Sequence, residues 1–247
     1  MDTAIDKAIA VLECLEAAAG SQSLAEITAT TGLPKPTVHR ILSTLERHAF
    51  VRKLPDRNYA FGTRIIALGI FAASQNSLVT AARPLLDRLV VSCGETVHLG
   101  VLEGTALLYL DRREPVDAAV RLATLPSPLT SLHASAAGKV LLAYGDSELQ
   151  EAVLAAGLVR YNARTIVDAD VLAAELETIR ARGFAVNEEE RNEGVRAIGV
   201  PVRNRAGAVV AALSAAGPVQ RVDDEKLHQM QGLLAAAAAE LSMAVPL

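Results

Sequence analysis

The segment GLPKPTVHRILSTLERHAF, which begins at Gly32, limits the possible folds of this chain more than any other part of the sequence. Its apolar residues recur at the i, i+3, i+4 and i+7 spacing of one helix face: Val38, Ile41, Leu42 and Leu45. The opposite face carries hydroxyl and basic side chains: Thr37, His39, Arg40, Ser43, Thr44 and Arg47. This pattern predicts an amphipathic helix with one buried side. The outward side suits either contact with phosphates and base edges or ordinary solvation.

The residues before this helix predict a helix-turn-helix. A supporting helix is expected over residues 3–19, and Ser23 then lies three residues before Glu26, which is the spacing of a capping box. Gly32 allows the positive φ that a tight reversal between two short helices often requires. Because Pro36 disfavours the α region for the residue before it, the next helix is expected to begin near Pro36. This arrangement favours nucleic-acid contact over solvation for the outward face.

A basic β-hairpin is predicted directly after this helix. Residues 50–54 and 59–61 are typical of short strands, and the turn Pro55-Asp56-Arg57-Asn58 separates them. Such a hairpin is a wing, whose cations can meet the phosphate backbone beside the groove that the helix occupies. We therefore expect DNA contacts from ten residues: Lys35, Thr37, His39, Arg40, Ser43, Thr44, Arg47, Arg52, Lys53 and Arg57.

Charge is distributed unevenly along the chain. The net charge is −4, yet residues 33–64 contain seven basic residues against two acidic ones, a local balance of +5. The remainder therefore sums to −9. Such asymmetry predicts two parts with different partners, the first of them able to approach a polyanion.

Composition favours a globular protein of 247 residues. With 51% apolar residues the chain can bury a substantial core, and disorder is not expected. No apolar run approaches the ~20 residues of a membrane span, and the first residues do not fit a secretory signal, so we expect a soluble, cytoplasmic protein. Cys14 and Cys93 lack the spacing of zinc ligands, and we expect both to be reduced and buried.

The second part of the chain predicts an α+β domain with an antiparallel sheet. The segments CGETVHLGVLEG and ALLYLDRREP alternate as two strands of a hairpin that turns at Glu103-Gly104. Further strands are expected near residues 197–202 and 209–215. Helices are expected near residues 64–77, 80–92, 134–144, 148–156 and 169–182 and from residue 223 onward.

The chain resembles the IclR family of bacterial transcriptional regulators in both parts. SLAEITATTGLPKPTVHRILSTLERHAFV resembles the winged helix-turn-helix of that family. The segments GETVHLGVLEG, LHASAAGKVLLAY, RGFAVNEEE, GVRAIGVPV and ALSAAGP resemble its ligand-binding domain, which is similar to the GAF fold. The resemblance implies a DNA-binding domain over residues 1–62, a linker helix over 63–77 and an effector-binding and oligomerisation domain over 78–247. It also implies a homodimer or a dimer of dimers that binds a palindromic operator in double-stranded DNA.

An effector site is expected around the start of the helix in LHASAAGKVLLAY. Ser135-Ala136-Ala137-Gly138 leaves helix amides that an anion can approach, although small residues there also allow close packing. The resemblance places effector contacts at Ala119, Leu122, Ala136, Ala137, Asn187, Ala197, Ser214 and Ala216. Family members that bind very small oxo acids carry an acid, a thiol and a hydroxyl at the positions of Asn187, Ala197 and Ala216. We therefore expect a carboxylic acid with a larger or more apolar body.

The enzymatic alternative depends on weaker patterns. AAGK lacks the other residues of a phosphate-binding loop, and Ser135 lies outside a GxSxG context. The glutamates at 188, 189, 190 and 193 suit either a divalent metal or, more commonly, a solvated face. Glu95 and His98 form an ExxH pattern whose members should face opposite sides of a strand. We expect no catalytic residue, metal or cofactor; the alternative is a metabolite-binding domain with enzymatic activity and an incidental helix-turn-helix.

Overall fold

The computed structural model of the chain describes residues 3–18, 20–116 and 129–244. It divides into two compact units, Met1–Gln75 and Asn76–Leu247. The predicted linker helix falls at the end of the N-terminal unit. Both cysteines are free and buried, as predicted. No single helix within the described ranges is long and apolar enough to cross a membrane, although Thr63–Gln75 and Ser77–Cys93 taken together reach that length and composition.

The N-terminal unit is a helix-turn-helix followed by a two-stranded wing. Its elements are α1 (Ala4–Ala17), α2 (Leu24–Thr31), α3 (Lys35–Arg47), β1 (Val51–Lys53), β2 (Tyr59–Phe61) and α4 (Thr63–Gln75). The predicted capping box at the start of α2 is confirmed, because the Glu26 amide donates to Ser23 Oγ and the Ser23 amide donates to the Glu26 carboxylate. Gly32 ends α2 with φ of 66°, as the predicted turn requires.

Helix α3 begins at Lys35, which agrees with the predicted start near Pro36 to within one residue. Pro34 is the N-cap residue, and its carbonyl accepts hydrogen bonds from the amides of Thr37 and Val38. Pro36 therefore lies in the first turn, where an amide has no partner within the helix and its loss costs nothing. Lys35 is therefore helical, although the proline that follows it disfavours the α region at this position.

A small apolar core joins α1, α2, α3 and the wing. Val38 and Leu42 of α3 are buried against Val11, Leu15 and Ile27 of the two preceding helices. The remaining members of the cluster complete it: Cys14, Leu33, Val51 and Tyr59. Tyr59 also exchanges backbone hydrogen bonds with Gln22, which ties the wing to the segment before α2. The orientation of α3 is therefore fixed by its buried face.

The C-terminal unit is built around a six-stranded antiparallel sheet in the order β5-β4-β3-β8-β7-β6. Its elements are α5 (Ser77–Cys93), β3 (Thr96–Glu103), β4 (Ala106–Arg113), β5 (Leu129–Ser131), α6 (Ala136–Tyr144), α7 (Ser147–Ala156), α8 (Ala169–Arg182), β6 (Ala185–Glu188), β7 (Val195–Arg203), β8 (Val209–Pro218) and α9 (Asp224–Ala244). The predicted α+β class and the hairpin of β3 and β4 are confirmed, but the hairpin turns at Gly104-Thr105 and not at Glu103-Gly104, because Glu103 still pairs with Ala106. Two short edge strands, β5 and β6, were not expected from the sequence.

The helices of this unit form two groups. Helix α6 packs against α8 and crosses β7 and β8, whereas α5 and α9 pack against each other and against β3 and β7. The α6 helix is almost wholly buried, with Val140, Leu141 and Leu142 in a core that also includes Leu176 and Ile179 of α8. The N-terminal end of α6 is thereby held against the middle of the sheet.

Candidate DNA-reading face and effector site

The outward face of α3 presents the side chains that the sequence predicts. His39, Arg40, Ser43, Thr44 and Arg47 are exposed, and Thr37 is partly exposed. Two of the hydroxyls donate to backbone carbonyls one turn earlier, Ser43 to His39 and Thr44 to Arg40, at 2.8 and 3.0 Å. Their oxygens keep lone pairs, while Arg40 and Arg47 can donate to phosphates or bases. These residues therefore lie together on one accessible face of α3.

The wing is a regular antiparallel hairpin. Val51 pairs with Phe61 and Lys53 pairs with Tyr59. The three predicted wing cations, Arg52, Lys53 and Arg57, are all exposed, and Lys53 Nζ lies 5.6 Å from the centroid of the Tyr59 ring. Arg57 occupies the tip with φ of 69°. The structure therefore places these cations on the strand and turn that follow α3.

Replacement of Lys53 by alanine tests the wing as a phosphate contact. If the ammonium group releases one counterion on binding, the slope of log affinity against log salt should fall by about one. Fluorescence anisotropy over a salt series measures that slope. Lys226→Ala, which removes a lysine from α9 in the C-terminal unit, is the matched control and should leave the slope unchanged. An unchanged slope for Lys53→Ala would remove this residue from the interface.

Four of the predicted effector residues share one face of the C-terminal sheet, which we call the effector face: Asn187, Ala197, Ser214 and Ala216. Register pairs Asn187 with Ala197 and Ala197 with Ala216. Ser214 lies two residues before Ala216 on the same strand and pairs with Gly199. Since alternate residues of a strand face the same side, these positions lie on one surface. Ala119 and Leu122 fall outside the described residues.

The start of α6 lies directly on this surface. A Cβ atom on Gly199 would lie 2.8 Å from the carbonyl carbon and oxygen of Ala136 and 2.9 Å from the amide nitrogen of Ala137. Asn187 donates from Nδ2 to the Ala134 carbonyl at 2.7 Å. Ser135 is the N-cap residue, and its Oγ accepts from the Gly138 amide at 3.2 Å. The predicted set of approachable amides is therefore reduced, because Ser135 already satisfies the amide of Gly138.

Four further polar residues, which the sequence did not single out for the site, lie around the same surface: His98, Tyr109, Arg112 and Arg191. The rings of His98 and Tyr109 lie 4.7 Å apart, and His98 pairs with Ser214 across the sheet. Burial raises the pKa of Tyr109 to about 12, although the charges of Arg191 and Arg112 and hydrogen bonds with Ser135 and Ser214 oppose the rise. Tyr109 therefore lies near two predicted effector residues, Ser135 and Ser214, and near the cations Arg112 and Arg191.

The pKa of His98 is lowered to about 3, first by burial and then by the charge of Arg112. The folded imidazole stays neutral below pH 6.5, whereas the unfolded one becomes protonated there. The free energy of unfolding should consequently fall between pH 6.5 and pH 3, by at most about 1.4 kcal/mol per pH unit from this group. His98→Gln should remove that contribution, which denaturant unfolding at a series of pH values will measure. The exposed His228→Gln is the control, and an equal change of slope in both variants would contradict the assignment.

The glutamates that follow β6 do not form one solvated face. Glu190 is 5% exposed and accepts a 2.6 Å hydrogen bond from Lys139, which is itself 1% exposed. Glu188 pairs with Arg196, and Glu189 pairs with Arg164. Within the described ranges, no group of three or more histidine, cysteine, aspartate or glutamate side chains is placed to hold a metal. These carboxylates therefore hold the loop after β6 against α6 and β7.

Comparison with known proteins matches the two units to two family models. Residues 4–55 match the IclR helix-turn-helix domain, and residues 70–243 match the bacterial transcriptional regulator IclR C-terminal domain. The chain is 35% identical to the HTH-type transcriptional regulator BhcR of Paracoccus denitrificans over 97% of its own length and 86% of the relative.

Solved structures give the same result. The IclR transcriptional regulator from Alicyclobacillus acidocaldarius aligns with a TM-score of 0.88 and 30% identity over 98% of each chain. An IclR homologue from Microbacterium hydrocarbonoxydans, complexed with 4-hydroxybenzoate, aligns with a TM-score of 0.83 and 26% identity over 98% of each chain.

A winged helix-turn-helix unit followed in one chain by an α+β domain is the architecture of a ligand-responsive transcriptional regulator. The matched models cover most of the sequence, and the chain belongs to the IclR family. It is accordingly a DNA-binding transcriptional regulator controlled by a small molecule, and not an enzyme.

Proposed function

We propose that the chain acts as a homodimer, or a dimer of dimers, that binds a palindromic operator through α3 and is controlled by a carboxylic acid with an apolar body. The ten DNA contacts and the effector contacts expected from the sequence are part of this proposal. The observation that best supports this proposal is that the effector face has few free polar groups. Ala197 and Ala216 add no polar group there, and the Asn187 amide nitrogen is already bonded to Ala134.

The charges near this face favour an anion. Arg112 and Arg191 both act on Tyr109, and Asn187 contributes no carboxylate of its own. An aromatic or branched acid can place its carboxylate toward Arg112, which also pairs with Glu114, and its body against the alanines. The 4-hydroxybenzoate complex of the Microbacterium hydrocarbonoxydans relative is consistent with a ligand of this kind.

Helix α4 supports the homodimer. None of its residues is buried, and Ile66, Ile70 and Phe71 are each more than 60% exposed. In the same unit, Ile5 of α1 is 71% exposed. Apolar side chains exposed in this number and density are typical of a protein interface. A second copy of the chain also supplies the symmetry of a palindromic site, whose halves are read ~34 Å apart.

The double replacement Ile66→Glu with Ile70→Glu should weaken self-association by at least about tenfold, because two carboxylates then replace apolar contacts of the interface. Sedimentation velocity over a concentration series measures this change. Ser74→Glu with Gln75→Glu adds the same charge to exposed positions of the same helix and serves as the control. Equal association of both variants would place the dimer contact elsewhere.

The proposed function is tested on DNA from upstream of the gene itself. Mobility shift should show binding that competitor DNA does not remove, and a calorimetric screen should find an aromatic or branched carboxylic acid that alters this binding. In the proposed mechanism the acid changes the relative orientation of the two reading helices, so a small change of angle has a large effect on affinity. Binding of only short, highly polar acids would contradict the proposed effector class, and the absence of any sequence preference would contradict the operator.

A further inference from the structure

A cavity of about 450 Å³ opens at the β5 edge of the sheet, between that edge and the segment that follows α7. This volume lies within the roughly 300–1,000 Å³ that small-molecule sites occupy. Its described lining is largely apolar on the side of α7, with Val153, Ala156 and Val159, and polar on the side of β5. None of the proposed effector residues that the structure describes lines it.

Arg191 gives this cavity a defined charge. Among the described residues of the lining, it carries the only permanent charge, and no described carboxylate forms a salt bridge with it. Its Nη1 atom is buried without a hydrogen-bond partner. The guanidinium carbon lies 4.7 Å from the centroid of the Tyr161 ring, so its orientation is fixed by a cation–π contact.

Thr130 supplies a second donor, which has no partner among the residues that the structure describes. The residue lines the cavity and is only 8% exposed, yet its Oγ1 is buried without a hydrogen-bond partner. A buried hydroxyl that lacks a partner among the described residues is costly, which favours a ligand as the missing partner. His133, whose ring stacks against Tyr161 with centroids 6.3 Å apart, closes the polar side. Burial lowers the pKa of His133, so this ring adds no positive charge at neutral pH.

We propose that this cavity is a second ligand site, separate from the effector face, that binds a small monocarboxylate with an apolar or aromatic body. The carboxylate is recognised by the charge of Arg191 and by the hydroxyl side of the cavity, and the body lies against Val153, Ala156 and Val159. The cavity is formed by the C-terminal unit alone. Binding there requires neither DNA nor an occupied effector face.

Methyl-resolved NMR of the full chain, titrated with benzoate, tests the proposal. The alanine and valine methyl groups divide into two sets, Val153, Ala156 and Val159 for the cavity and Ala136, Ala197 and Ala216 for the effector face. Benzoate should shift the cavity set, and Arg191→Gln should weaken that response by at least about tenfold because a charged hydrogen bond is lost. Benzamide has the same shape without the charge and should shift the cavity set far less.

Two variants separate a ligand contact from a folding defect. Arg164→Gln removes an exposed arginine of the neighbouring loop, which does not line the cavity, and should leave the benzoate response unchanged. Thr130→Val conserves shape and removes a hydroxyl that has no partner in the described part of the chain, so the melting temperature should stay the same or rise while benzoate binds more weakly. The proposal is overturned if the cavity methyl groups do not respond to benzoate, if benzamide binds equally well, or if Arg191→Gln and Thr130→Val both bind as the natural chain does. A response confined to the effector set overturns it too, and leaves the proposed function intact.

Discussion

Replacement of Gly199 by alanine is expected to weaken effector binding at least about tenfold while leaving the fold of the N-terminal unit unchanged. The new methyl carbon would lie 2.8 Å from backbone atoms of Ala136 and 2.9 Å from the amide nitrogen of Ala137. These are main-chain atoms at the start of a buried helix, so no flexible side chain can move aside. The methyl group must therefore push α6 away from the sheet.

The expected cost in the free energy of unfolding is about 1–3 kcal/mol, which is typical of overpacking. Gly232→Ala on α9 is the matched control, since its Cβ would meet no atom within 4 Å and alanine is a better helix former than glycine. Calorimetry with the acid that binds best in the screen, together with denaturant unfolding of both variants, measures the two effects. Unchanged affinity and stability in Gly199→Ala would show that the start of α6 does not form the site.

The N-terminal unit was predictable because its determinants are local. The capping box at Ser23 and Glu26 fixes one end of α2, and Gly32 fixes the other. The apolar spacing of α3 then assigns its buried and exposed faces. The ends of the helices were less predictable: α1 spans Ala4–Ala17 where residues 3–19 are expected, and α3 begins at Lys35, one residue before Pro36.

The effector face was predictable only in part because a sheet joins residues that are distant in sequence. β5 and β6 are three and four residues long, which is too short for an alternating pattern of apolar and polar residues. Each forms a strand because it pairs with a longer strand, β5 with β4 and β6 with β7. The resemblance supplied Asn187, Ala197, Ser214 and Ala216, whose placement on one face depends on register. No local signal in the sequence marks that register.

A β-bulge explains why the sequence missed two of the polar residues beside this face. In a regular strand Tyr109 and Arg112 would face opposite sides, being three residues apart. The register shifts between Leu99 and Gly100, so that Gly100 pairs with Tyr109 and His98 pairs with Arg112. Since His98 and Gly100 face the same side, Tyr109 and Arg112 do too. The pairing pattern of β3 and β4, and not the spacing of residues along β4, determines which side chains lie on this face.

Replacement of Arg40 by alanine should cost about 1–3 kcal/mol on the specific operator, or roughly 5- to 150-fold in affinity, if its guanidinium reads a base. Arg40 is exposed on the outward side of α3, and the buried Val38 and Leu42 hold that side in place. Because its carbonyl accepts a hydrogen bond from Thr44, the backbone is restrained while the side chain remains available. Anisotropy with operator and random DNA measures both affinities, and the exposed Arg160→Ala of the C-terminal unit removes the same charge as a control. An equal loss on both DNAs would make Arg40 a phosphate contact, and no loss on either would remove it from the interface.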